Sequence, residues 1–326
     1  MRVFVAGAGG AIGRPLVAQL VEHGHEVVAT TRKREKLDAL RALGAKAVEM
    51  DGLDAGSVGE AVARAEPDVI VHQMTSLAGA NDLKHFDDTF AVTNKLRTRG
   101  TEHLLTAADA VGVRRFVAQG YTGWPYPRDG GPVKTEDDPF DPDPPAPAMR
   151  RTLDALIRQE ELVRSAPLDG VVLRYGSFYG PGASDELVEM VRRRKVPLVG
   201  DGAGVWSWIH VDDAAAATVA AAEGSATGVF NVCDDEPAPV AEWLPYLAEA
   251  LGAKPPRRVS VWLARLVAGE TVVAMMTQIR GASNEKAKRE LGWRPYWSSW
   301  RQGFRDGLRG AGSPTVAQPA REPSAT

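Results

Sequence analysis

Met1-Arg-Val-Phe-Val-Ala-Gly-Ala-Gly-Gly-Ala-Ile-Gly13 is the stretch that decides the fold. Val3 to Ala6 is a short apolar run, the pattern of a buried strand. Glycines follow at positions 7, 10 and 13, and Pro15 to His23 then has the amphipathic spacing of a helix. Strand, glycine turn and helix N-terminus together make a cradle for the pyrophosphate of a dinucleotide. In such a cradle Gly7 permits the tight turn, Gly10 lets phosphate approach the backbone, and Gly13 lets the helix close on the strand. A plain strand-to-helix turn needs one glycine, not three.

The same rhythm runs on through two thirds of the chain. Apolar, β-branched runs at 2–6, 25–30, 46–50, 68–73, 114–119, 170–174 and 228–232 read as strands. Helical patterns at 14–23, 33–43, 57–65, 86–111 and 149–165 lie between them. This alternation predicts an α/β fold with a doubly wound parallel sheet. Ligands of such sheets bind beyond the carboxyl ends of the strands. The proline-, glycine- and aspartate-rich segment 124–148 has no periodicity and reads as an irregular excursion over the site. Residues 1–175 and 206–232 are expected to form the dinucleotide domain. Residues 176–205 and 233–310 are expected to form a smaller C-terminal substrate lobe, and 311–326 a disordered tail.

Composition narrows the partners. The 326 residues carry a formal net charge of −3, which gives no reason to expect nucleic acid or an anionic membrane. No apolar run is long enough to span a bilayer. Cys233 is the single cysteine, so an intrachain disulfide and a multi-cysteine metal site are excluded. The first strand begins at once, leaving no room for a signal peptide, and a reducing cytoplasm is the expected location. The six histidines show no metal-ligand spacing; His23 and His25 read as solvated turn residues, and no metal site is expected. The expected partner is a small-molecule substrate, with a homodimer as the one assembly considered.

Further markers follow in order: Asp51-Gly-Leu-Asp54, Val69-Ile-Val-His72, Arg115-Phe-Val117, Leu173-Arg-Tyr175, Tyr179-Gly-Pro-Gly182, Ile209-His-Val-Asp-Asp213, Phe230-Asn-Val232 and Glu290-Leu-Gly-Trp-Arg-Pro295. The series resembles the extended short-chain dehydrogenase/reductase family of the NAD-dependent epimerase/dehydratase type, from residue 1 to about 305. The resemblance implies a Rossmann core of strand order 3-2-1-4-5-6 with one further strand and a small C-terminal substrate lobe, in which Gly7, Gly10 and Gly13 hold the pyrophosphate, with amides from Ala11 and Ile12. It puts Asp51 and Gly52 beside the adenine, and Gln73, Met74 and Thr75 under the ribose and phosphates. His72 then supports its strand end, and Asp212 and Asp213 cap the following helix.

The end of the second strand speaks to the cofactor. Ala29-Thr-Thr-Arg-Lys-Arg34 lacks the carboxylate that would bind the ribose hydroxyls of NAD and offers three cations. A guanidinium suits a 2′-phosphate, so NADP is expected in preference to NAD, held by Thr31 and Arg32.

The family pattern fails at its chemical centre. The Tyr-x-x-x-Lys pair of the helix after the fifth strand is missing; Thr152 stands in the tyrosine place and Leu156 in the lysine place. None of the six tyrosines is followed by lysine four residues on. Tyr121 and Thr122 fall near the hydroxyl position that follows strand five and are the candidate proton donors. Tyr121 is expected to have a lowered pKa if Arg150 or a nicotinamide ring lies close. Trp124, Phe178, Tyr179, Trp206 and Trp208 suggest an apolar wall for a flat, uncharged substrate, or else the packing of the lobe. An NADP-dependent oxidoreductase acting on a small, mainly apolar carbonyl or hydroxyl compound is the first expectation. A redox-neutral epimerase, dehydratase or isomerase and a non-catalytic nucleotide sensor are the alternatives.

Overall fold

Seven parallel strands form the central sheet: β1 (Arg2–Ala6), β2 (Glu26–Thr31), β3 (Lys46–Glu49), β4 (Val69–His72), β5 (Arg115–Tyr121), β6 (Asp169–Tyr175) and β7 (Gly228–Val232). The computed structural model describes residues 1–77 and 82–308, so the tail expected at 311–326 lies outside the described residues. The strands lie in the order β7-β6-β5-β4-β1-β2-β3, the order that the resemblance implies, with β7 as the further strand. In β1, Val3 and Val5 point to one face of the sheet and Phe4 and Ala6 to the other, and all four are buried. The period of two, with both sides apolar, is what a strand covered on both faces demands.

Helices α1 (Gly13–Glu22) and α6 (Val211–Glu223) cover the Val3 face through Leu16, Val17, Leu20 and Val219. Helices α3 (Ala55–Ala65), α4 (Thr101–Val111) and α5 (Arg150–Ser165) cover the Phe4 face through Val58, Val62, Leu104 and Val163. The remaining core helix, α2 (Leu37–Ala42), follows a 3-10 turn at Arg34–Lys36, so the expected helix 33–43 divides in two. Helix α3 starts where Asp54 Oδ1 accepts from the amides of Gly56 and Ser57 at 2.9 and 3.2 Å.

The expected helix 86–111 is also broken. Phe86–Thr89 and Ala91–Lys95 precede a π-helical turn, Leu96–Gly100, that leads into α4. A π-turn re-aims the side chains on either side of it, and such turns occur often at functional sites.

The second lobe has its own apolar centre, built on Tyr179, Leu198, Trp208, Trp243, Leu247 and Phe304. The boundary drawn after residue 232 is crossed, however. Ala287 and Trp293 pack into the cluster beneath α1 and α6, so the segment around Glu285–Glu290 returns to the sheet. Segment 124–148 is irregular as expected; its one strand, Val133–Lys134, pairs with Gly281–Ala282.

Candidate active site

The glycine loop opens beyond the carboxyl end of β1. Gly7 has φ +91°, and a Cβ there would stand 2.7 Å from Gln73 C and Met74 N. A Cβ on Gly13 would stand 2.4 Å from the Ala8 carbonyl oxygen. These two glycines serve close backbone packing. Gly10 differs: its nearest neighbour would be Gly7 O at 3.7 Å, so a side chain there would only fill the cradle. Ala11 and Ile12 lead into α1, whose start has no side-chain cap. A dinucleotide pyrophosphate fits this arrangement of open space and helix N-terminus.

At the end of β2, Thr31 is buried and its hydroxyl accepts from the Lys33 amide at 3.1 Å. Arg32 is exposed and makes no ion pair among the described residues, whereas Arg34 reaches Glu49 at 3.7 Å. Lys36 lies outside the cationic run Arg32-Lys33-Arg34 that marks this end of β2 in the sequence. Its Nζ donates to Gly9 O at 2.5 Å, and a Cβ on Gly9 would meet Lys36 Cδ at 2.9 Å and Thr31 Oγ1 at 3.0 Å. The loop, the end of β2 and this ammonium therefore share one corner. Its position outside the cationic run hid it.

On the adenine side, Asp51 Oδ1 accepts from the Leu53 amide at 3.0 Å and so shapes its own turn. Met74 is a floor residue, for a Cβ on Gly52 would stand 2.3 Å from its Sδ. Gln73 Nε2 donates to the Tyr175 hydroxyl at 3.1 Å, while Gln73 Oε1 is buried with no partner among the described residues. Thr75, half-buried, follows them.

His72 supports the strand end. Its Nδ1 accepts from the Met74 amide and its Nε2 donates to Leu96 O, each at 3.2 Å. Burial pushes its pKa down to about 4. The folded chain keeps it neutral while the unfolded chain protonates near pH 6.5, so stability is lost as pH falls from 6.5 towards 4. The loss should approach about 3 kcal/mol. Urea unfolding at pH 7 and pH 4.5 should show a smaller pH difference for His72→Asn than for the native chain; equal differences would reject this assignment.

Asp213 does not cap its helix. It accepts from the Tyr296 and Trp297 amides at 2.9 Å each, and burial lifts its pKa to about 7. The cap acceptor is the His210 ring, which takes the Asp212 amide at 3.2 Å. His23 and His25, read as solvated, both reach Glu223 Oε1 at 2.9 and 2.8 Å, at the far end of α1 from the cradle.

At the chemical centre, Thr152 and Leu156 are each 1% exposed. The Thr152 hydroxyl donates to Asp87 Oδ1 at 2.8 Å and accepts from Asn94 Nδ2 at 2.9 Å. Asp87 also takes the amides of Arg151 and Thr152 at 2.9 Å, so a residue 65 positions earlier caps α5. The Tyr121 hydroxyl lies 3.3 Å from Ser177 Oγ. Burial raises the Tyr121 pKa, against the expected lowering. Arg150 is elsewhere, beside Asp143 and Asp154 at 3.5 and 3.9 Å. The phenol is therefore neutral at pH 7. Thr122 is fully buried and its amide is spent on Tyr175 O at 3.0 Å.

The aromatic residues divide. Tyr121, Trp124 and Trp206 join Phe86, Leu156 and Met275 in one apolar cluster. Trp206 keeps part of its surface and donates from Nε1 to Met275 O at 2.9 Å. Tyr179 and Trp208, 0% and 1% exposed, lie instead inside the lobe and have no surface to offer a substrate. Phe178 is half-buried against Tyr175, ring centroids 5.4 Å apart.

A model of the NAD dependent epimerase/dehydratase family matches residues 3–233. The chain belongs to that family. As an epimerase/dehydratase-family protein it is an NAD(P)-dependent enzyme of the oxidoreductase or epimerase type, acting on a small molecule. It is 47% identical over 309 residues to a 3-diazoavenalumate denitrifying reductase of a Streptomyces species, across 93% of this chain and 99% of that one. It is 29% identical over 270 residues to a 2-alkyl-3-oxoalkanoate reductase of Stenotrophomonas maltophilia, across 78% and 76% of the two chains. UDP-glucose 4-epimerase of Thermotoga maritima superposes with a TM-score of 0.74 over 94% of this chain and 97% of that one. At 23% identity that likeness speaks for the fold. Among the described residues of this family member, no helix is long and apolar enough to cross a membrane.

Proposed function

We propose that this chain is an NADP-dependent reductase that brings hydride to a small, flat diazo compound with no proton relay from the protein. One observation carries the reading: the cradle is intact, yet both places of the family's proton relay are sealed. Thr152 is tied to Asp87 and Asn94, and Leu156 is part of an apolar floor. Bound NADPH supplies a hydride. A carbonyl that accepts hydride becomes an alkoxide and needs a proton. An aryl diazonium ion does not. Hydride cancels its positive charge, the carbon–nitrogen bond breaks, dinitrogen leaves, and the hydrogen remains on the ring carbon. The 47% identical reductase carries both a diazo substrate and nitrogen loss in its name, which supports this class over the carbonyl compound expected from sequence.

The chain's own residues then bind and orient. Trp206, which keeps part of its surface, supplies an apolar wall, and the neutral Tyr121 hydroxyl, held by Ser177, orients the substrate; Trp124, 3% exposed, is packed inside the same apolar cluster and does not form the wall expected of it. Thr31, Arg32 and Lys36 hold the 2′-phosphate, and Gly7, Gly10, Ala11, Ile12 and Gly13 the pyrophosphate. A redox-neutral epimerase needs the group that removes a proton, and the sealed relay speaks against it. Adding an aryl diazonium carboxylate to the protein with NADPH should remove nicotinamide absorbance and release one dinitrogen per NADPH. Product formed at constant absorbance would mean redox-neutral chemistry, and no reaction would leave the sensor.

Three variants sharpen the reading. Tyr121→Phe should keep turnover of the diazo compound within about threefold, whereas loss of a true proton donor costs roughly a hundredfold or more. Arg32→Ala and Lys36→Met should each weaken NADPH on the order of tenfold and leave NADH unchanged. Tryptophan fluorescence titration measures both cofactors, and equal losses for the two would remove NADP from the proposal.

A further inference from the structure

Three arginines are buried among the described residues: Arg97, Arg115 and Arg174, each 5–6% exposed. Two of them have a carboxylate partner. Arg174 meets both oxygens of Glu160 at 2.7 Å, and Arg115 donates from Nε to Ala221 O at 2.6 Å and lies 3.9 Å from Asp169. Arg97 is different. Its one side-chain hydrogen bond is from Nη1 to Asn94 Oδ1, at 3.4 Å, and no carboxylate comes within ion-pair reach among the described residues. Burial pulls its pKa down to about 10, and the Tyr121 phenol is the group that most opposes that shift. A buried cation left in this state is costly, and folded chains keep one where an anion is to be met.

Its place in the fold says which anion. Arg97 sits on the π-helical turn Leu96–Gly100, at the carboxyl end of the sheet. Through Asn94 it is two hydrogen bonds from Thr152, the residue in the family's tyrosine place. The phosphates of a dinucleotide belong at the glycine loop and at Lys36, so they do not need this charge. One guanidinium with neutral neighbours balances one negative charge, not the two of a diphosphate. Its planar fork suits a carboxylate.

We propose that Arg97 is the anion-binding residue of the substrate site and takes the carboxylate of a mono-anionic substrate, beside the positions where Thr152 and Leu156 stand in place of the family's tyrosine and lysine. The inference rests on the reductase reading in taking this end of the sheet as the substrate's. It makes the substrate a flat compound, apolar along its length and ionised at one end, and so revises the uncharged ligand expected from the tryptophans.

The test uses the full chain loaded with NADPH, and cinnamate and its methyl ester as probes in calorimetric titrations. Cinnamate should bind the native protein and weaken on the order of tenfold or more in Arg97→Gln, while Arg97→Lys keeps most of the affinity. The methyl ester should bind all three proteins alike, and NADPH affinity should not change. Cinnamate that fails to bind the native protein, or that binds Arg97→Gln equally well, would overturn the proposal. So would an Arg97→Gln variant that loses NADPH affinity instead, since the charge would then serve the cofactor. Folding provides an independent readout. Removing an uncompensated buried charge should leave the melting temperature of the ligand-free protein equal or higher; a fall of several degrees would show that the charge is already satisfied, and would also overturn the proposal. The probes undergo no reduction. Arg97-dependent cinnamate binding, with no NADPH consumed in the separate aryl diazonium assay, would therefore remove the reductase reading alone, and NADPH consumption in that assay without Arg97-dependent cinnamate binding would remove this inference alone.

Discussion

Replacing Glu160 by alanine is expected to cost about 3–5 kcal/mol of stability, the largest single effect foreseen in this protein. Glu160 is 7% exposed and Arg174 5%, and both guanidinium nitrogens that face the carboxylate do so at 2.7 Å. Burial alone would pull the Arg174 pKa down; the Glu160 carboxylate more than offsets it and drives the pKa up. Arg174 also donates to the Tyr126 hydroxyl at 3.0 Å and stacks 4.0 Å from the Phe140 ring centre. With Glu160 gone, a full charge stays buried between those rings. The double variant Glu160→Leu/Arg174→Met should recover most of the loss, because the penalty lies in the orphaned charge and not in the missing pair. Urea midpoints of the two single variants and the double variant give the comparison. A single-variant loss below about 1 kcal/mol would place the pair among ordinary exposed ion pairs and refute the burial argument.

The second large effect separates the three glycines of the cradle. Gly10→Val should abolish NADPH binding, a loss on the order of a hundredfold or more, with the melting temperature of the ligand-free protein nearly unchanged. Its side chain has open space to occupy, and that space is where we propose the pyrophosphate lies. Gly7→Ala and Gly13→Ala should instead be unstable in the absence of cofactor, by about 1–3 kcal/mol each. At Gly7 a Cβ meets the backbone that leaves β4, and at φ +91° it is strained as well; at Gly13 it meets the Ala8 carbonyl. Neither obstacle is a flexible side-chain tip that could swing aside. Cofactor titration combined with thermal unfolding measures both properties. A Gly10→Val protein that binds NADPH normally would move the pyrophosphate off this loop, and with it most of the cofactor assignment.

The layout of the sheet was legible from residues alone because its signals are local. Unbroken apolar runs such as Val3 to Ala6 and Val69 to Val71 demand a strand covered on both faces, wherever that strand finally lies. Gly7 and Gly13 announce a turn because no other residue fits there. The loss of the catalytic pair was legible too, since it is a matter of which residues stand at fixed spacing on one helix. What the tertiary structure alone decided depends on partners that arrive from far along the chain. Asp87 reaches the start of α5 from 65 positions away and seals Thr152. Lys36 folds back onto Gly9. Asp213, which reads as a helix cap, spends its oxygens on Tyr296 and Trp297. Trp206 and Trp208 are two residues apart and look alike in sequence, yet one keeps exposed surface and the other closes the lobe core. Arg97 shows the same limit from the other side. An arginine in a helical pattern reads as a solvated charge, and only the packing of the π-turn against its neighbours leaves it buried with no carboxylate in reach among the described residues.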